Sequence, residues 1–263
     1  MSIGLRDGFF SCHGFTTIFF YKCSSHFEHL YRVKISVEYI KNHQRELLMW
    51  CIVVVLITIK IYQGDQSFFE KHFNDAGWTE GESDWFKWLY HHLASLILWA
   101  FIPFLIIRFA FKQKISEYGW QLGDWKFGIK ASLIAFVVMI LPVYISSFNP
   151  EHREWYPLTS LATASVGYFA LWGLSYLPHY IGWEFMFRGF VGIGMSNFYG
   201  KIGATGIQVI ITVLLHIGKP MGETWGAAVA GVYLGWLTYR TGSVWWVILF
   251  HFYLGMLNTW MCA

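Results

Sequence analysis

The sequence predicts an all-α polytopic membrane protein with about eight transmembrane helices. Of its 263 residues, 56% are hydrophobic and only 13% charged, against about 25% charged in an ordinary soluble domain. Apolar stretches of ~20 residues, the length that spans a bilayer, recur along the chain. Aromatic residues make up 21%, which suits a chain with many interfaces to anchor. A soluble helical core is a poor competitor, because too little polar surface exists to coat it. The net charge of +3 is modest and the positive residues sit mostly in loops, so they report topology and not nucleic-acid binding. Cys12, Cys23, Cys51 and Cys262 show no metal-ligand spacing, and Cys51, inside an apolar run, reads as a small core residue.

Residues 1–45 form a basic extension carrying Arg6, Lys22, Arg32, Lys34, Lys41 and Arg45, without a cleavage pattern. It fits a cytoplasmic tail or an upstream extension from a misassigned start, and no function is assigned to it. The transmembrane domain is placed at 46–263. Its first span, 46–63, ends near Lys60, which is free to snorkel. An acidic loop runs to 84. The second span, 85–111, contains Pro103, expected to kink it or break its ladder locally. Lys112, Lys114 and Lys126 flank the connection to a third span at 127–147, which includes Pro142. After a polar loop come spans at 159–178 and 181–199, divided at Pro178-His179, and then 202–217, 222–240 and 243–260.

The positive-inside rule sets the basic tail and the Lys-rich connection on the cytoplasmic side, with the loops at 64–84 and 148–158 opposite. Eight spans return the C-terminus to the cytoplasm and leave Lys201 and Arg240 outside. Ala227, Gly231 and Gly235 repeat every four residues, a small-residue face that lets two helices approach closely.

The chemistry concentrates in the apolar stretch Tyr180–Phe190, which encloses Glu184 and Arg188 at i and i+4, on one helical face. Either charge alone at the bilayer centre costs ~2.5–3.5 kcal/mol, so an intramembrane pair is a functional-site hypothesis by default. His216 and His251 lie in later apolar segments. A carboxylate and two imidazoles are the raw material for activating water. They also match the ligand set of a catalytic zinc site with one open position, so zinc held by Glu184, His216 and His251 stays open beside a metal-free route. Taken singly, each histidine reads as a core residue bonded to a backbone carbonyl.

Trp183-Glu184-Phe185-Met186-Phe187-Arg188-Gly189, then Val213-Leu214-Leu215-His216 followed by Gly218-Lys219-Pro220, then Ser243-Val244-Trp245-Trp246 leading into His251, resemble the CPBP family. These are the CAAX-protease and bacteriocin-processing (abortive-infection) intramembrane proteases. The likeness covers about 165–255, within a protease-like core at 159–260, and Glu117–Trp125 resembles the polar lead-in of many bacterial members. It implies an endopeptidase of the cell membrane, multi-pass with a cytoplasmic N-terminus, whose helical cavity opens to the cytosol and admits a peptide or membrane-associated protein. In the family's Glu-Glu-x-x-x-Arg motif Arg188 matches the arginine and Glu184 the second glutamate, while Trp183 replaces the first. His216 matches the second motif, with Thr212 where Phe is usual. His251 matches the His-x-x-x-Asn/Asp motif, with Gly255 in the last place. Glu223 is positioned to supply the missing carboxylate, and Asn258 lies seven residues from His251, ~10 Å along a helix.

The reading is intramembrane peptide-bond hydrolysis: Glu184 or Glu223 takes a proton from water held by His216 and His251, and Arg188 orients Glu184. The alternative is a catalytically inactive relative, a membrane scaffold or immunity-type protein. A transporter is a more distant reading, since no internal repeat is evident.

Overall fold

The computed structural model describes residues 37–73 and 77–263. The chain divides into two compact units, residues 1–44 and 45–263. In the first unit the described helix is Val37–Asn42, and residues 1–36 of the basic extension lie outside the described residues. The described residues are helical, with no strand among them.

Seven long helices, labelled in chain order, carry the structure: α1 Gln44–Gln63, α2 Glu80–Leu96, α3 Trp125–Ser146, α4 Val166–Glu184, α5 Gly194–Leu214, α6 Met221–Thr241 and α7 Trp245–Met261. Three rods, Gln44–Gln63, Glu80–Ala110 and Trp125–Ser146, are long and apolar enough by length and composition to cross a membrane. On α3, Leu133, Ile134, Val137, Val138 and Leu141 are all exposed. A contiguous apolar face of that kind suits lipid.

The second rod starts before residue 85 because Thr79 caps it. The Thr79 side chain accepts from the Glu82 backbone, and the Glu82 carboxylate takes the Thr79 N–H in return. Around Pro103 the ladder is π-helical on both sides, over Ile97–Phe101 and Ile106–Ala110. Such local adjustment re-satisfies backbone groups that a proline frees.

The expected division at Pro178-His179 is absent. Pro178 lies inside α4, which continues through a π-helical segment, Phe185–Ile193, directly into α5. The break falls at Gly200, whose φ of 67° and ψ of 166° interrupt the helix. The predicted spans 159–178 and 181–199 are therefore one rod, preceded by a 3-10 turn at Ser160–Thr163.

Merging them reverses the direction of everything downstream. Arg45 reaches Gln113 and Tyr118, Arg240 pairs with Asp124 at 2.9 Å, and Lys201 lies over the Tyr239 ring. Lys201 and Arg240 thus join the Lys-rich connection at one end, correcting the expectation that they lie apart from it. The C-terminal end of α7 sits at the other end, where Asn258 meets His152 of the 148–158 loop at 3.0 Å.

Two further corrections concern single residues. Cys51 is exposed and not a core residue; Cys262 is buried, and both thiols are free. Lys60 does not snorkel but is 3% exposed. The small-residue ladder behaves as expected: Gly231 and Gly235 rest on Val209, Thr205 and Gln208, and the Gln208 amide donates to the Gly231 carbonyl at 2.8 Å.

Candidate active site

Glu184 closes α4 at the point where the helix widens into its π-helical segment, a feature that recurs at functional sites. Its side chain is fully buried. Arg188 Nε approaches Oε2 to 3.2 Å, an ion pair not aligned as a hydrogen bond. From α7, His251 Nδ1 meets Oε1 at 2.5 Å. As a carboxylate Glu184 only accepts, so His251 donates through Nδ1–H and presents Nε2 elsewhere. Helices α4 and α7 run antiparallel here, so one turn apart Glu184 faces His251 and Tyr180 faces Gly255.

His216 follows the end of α5. Its Nδ1 lies 2.7 Å from the Thr212 carbonyl. A carbonyl cannot donate, so Nδ1 carries the hydrogen and Nε2 keeps its lone pair. Nε2 faces Glu223 Oε1 at 3.9 Å. That is too long for a direct hydrogen bond and short enough for a shared water. Glu223, in the first turn of α6, is held by Lys219 at 2.7 Å and by the Tyr156 hydroxyl at 3.2 Å.

Beside Arg188, His216 and His251 lies a cavity of about 40 Å³, lined also by Trp183, Thr212 and apolar residues of α6 and α7. A water needs only ~10–15 Å³ on that measure, together with polar partners. Arg188 Nη1 is buried without a partner and is free to serve one.

The sequence-predicted residues fall into a trio and a pair. Glu184 with Arg188 and His251 forms one, His216 with Glu223 the other, and Trp183 stands between them. Its ring centroid is 5.4 Å from that of His216 and 6.2 Å from that of His251. Asn258 is engaged with His152 and does not take the place of a side chain at 255. The proposed zinc ligands do not fit a metal. Glu184 is committed to His251 and Arg188, whose positive charge opposes a cation beside it. Among the described residues no group of three or more His, Cys, Asp or Glu is arranged to hold one.

The family model "Rce1-like: Type II CAAX prenyl endopeptidase Rce1-like" matches residues 84–257. The chain belongs to this family. The match reaches from α2 to the last turn of α7, well upstream of the likeness at 165–255, and with its apolar helices the chain is an integral membrane protein. No curated protein and no solved structure matches the chain. Membership makes the replacements at 183 and 255 meaningful, since both fall within the matched region.

Sequence reasoning missed a second polar cluster beside this one. Lys60 Nζ reaches the Gly64 carbonyl at 2.9 Å and His91 Nδ1 at 3.0 Å, and His91 Nδ1 lies 3.1 Å from Asp65. Ser95 and His179 Nδ1 are 3.0 Å apart. Lys60 and Asp65 lie 31 and 26 residues before His91, and the adjacent pair His91-His92 is the signal the sequence offers.

The site lies toward the end formed by the 64–84 and 148–158 loops, as the Tyr156–Glu223 contact requires. The charge rule assigns that end away from the cytosol, whereas the resemblance implies a cavity open to it.

Proposed function

We infer that the protein hydrolyses peptide bonds within the membrane, using a water held between His216, Glu223 and His251. What supports this reading is one observation: two imidazoles have Nδ1 engaged by a fixed acceptor and offer Nε2 beside a buried, water-sized cavity. His216 Nε2 removes the proton from the water, with Glu223 stabilising the resulting imidazolium. The water oxygen bonds to the carbonyl carbon, whose π electrons move onto oxygen. When the C–N bond breaks, an imidazolium returns a proton to the leaving amine. Arg188 positions Glu184, and Glu184 positions His251, as a carboxylate orients the imidazole in other hydrolytic sites. Glu184 is tied to His251 and Arg188, and Glu223 is the carboxylate nearest His216 Nε2.

The test is cleavage of a membrane-anchored fluorogenic peptide by purified protein in nanodiscs. His216→Ala, His251→Ala and Glu223→Gln should each lower turnover by at least about a hundredfold. Trp183, in the place of the family's first glutamate, favours the alternative of a catalytically silent member. On that alternative the wild type and all three variants are equally inactive.

A further inference from the structure

The replacement at 255 is matched by an intrusion from another helix. A Cβ built on Gly255 would stand 2.7 Å from Tyr180 Cζ and closer still to its hydroxyl oxygen. The phenol therefore fills the space in which a side chain at 255 would begin. The glycine and the tyrosine are mutually dependent, because no other residue at 255 leaves room for that hydroxyl. Tyr180 is 4% exposed, and its ring centroid lies 4.8 Å from that of His251.

The ring also has a defined setting. The Tyr176 ring centroid is 4.6 Å from that of Tyr180, one turn back on the same helix. A buried phenol in purely structural use needs only a partner for its O–H. Placement one turn before Glu184, against the helix that carries His251, adds a second capacity.

We propose that Tyr180 is a catalytic residue of this site, its O–H donating a hydrogen bond to the substrate carbonyl oxygen as negative charge develops there. This rests on the peptidase reading above. The phenol keeps its proton throughout: the C–O bond forms from water, the carbonyl electrons pass to oxygen, and Tyr180 donates its hydrogen bond to that oxygen. Donors of this kind are worth about 10²–10³ in turnover.

The experiment compares wild type, Tyr180→Phe, Tyr180→Ala and the double variant Tyr180→Ala/Gly255→Asn on the same anchored peptide. Tyr180→Phe keeps the ring and should lower kcat by about a hundredfold or more with KM within about threefold of wild type. The double variant puts a polar side chain back at 255 in the space vacated, and should exceed Tyr180→Ala by about tenfold. An active wild type that Tyr180→Phe leaves within threefold overturns the role of the tyrosine alone. A wild type with no cleavage overturns the peptidase reading, and this role with it.

Discussion

Two polar clusters lie buried in this apolar molecule, and they are built differently. Around Glu184 the charges are enclosed: Glu184 is 0% and Arg188 3% exposed, and each relies on the other. Around Lys60 the cluster is open at one side, because the Asp65 side chain remains 36% exposed at the edge of the loop after α1. The first cluster borders a cavity and presents unspent N–H and Nε2 groups to it. The second spends its groups on one another and on the Gly64 carbonyl, tying α1 to the second rod. Both clusters bury charge; the water-sized cavity beside His216 and His251 distinguishes the site from the brace.

That contrast yields an ordered set of stability tests. The largest effect belongs to Arg188→Met, which leaves the Glu184 carboxylate buried with a single imidazole partner. Breaking a buried pair by removing one member costs about 3–5 kcal/mol. The purified protein should lose thermal stability on that scale, together with its activity. A variant that melts with wild type would mean the pair is not the enclosed charge couple that the 3.2 Å separation indicates.

Lys60→Met should cost less, about 1–3 kcal/mol, since the groups it abandons are a carbonyl, an imidazole and a carboxylate with access to water. It also discriminates between the clusters in function. The two touch through His179, whose ring centroid is 5.8 Å from that of Trp183 and 5.3 Å from that of Tyr180. As a brace, Lys60 can be removed with turnover held within a few-fold once the protein is folded. A loss approaching that of His216→Ala would make the second cluster part of the site.

The ionisable groups that meet in the candidate site are more legible in the sequence than the course of the helices. Glu184, Arg188, His216 and His251 each stand out as ionisable groups in apolar segments, and the i, i+4 pairing of the first two holds even as the helix turns π-helical after Glu184. Glu223 was visible because it opens a helix just after a Gly-containing turn. Pro178 misled, since proline ends helices in water, whereas packed membrane helices carry it within their length. The single merged rod then shifts the side of every later loop, which local pattern could not reveal. The Lys60 cluster and the Tyr180–Gly255 exchange depend on neighbours 26 to 75 residues apart in the chain, and no periodicity encodes such meetings. Gly182 is similar: a Cβ there would collide with the Ser95 carbonyl, so its small size is what lets the second rod lie against α4.

The smallest effect separates the basic end from both clusters. Asp124 caps α3, where it accepts from the Phe127 backbone N–H and from Arg240, in that order of importance, and both hold its carboxyl below its ordinary value of 3.8. A carboxyl depressed in the folded state contributes stability above its unfolded pKa and loses it as pH falls through the folded one. The contribution should therefore be complete near neutrality and fade below about pH 4. Both side chains are more than 40% exposed, so water and salt screen the pair heavily. Asp124→Asn should melt slightly below wild type at pH 6, with the gap narrowing as the pH is lowered past 4 and as salt is raised. A gap that widens on acidification would reverse the sign of the interaction and remove the cap as its cause. The Arg188→Met deficit should not follow that curve, because that couple is sealed from solvent.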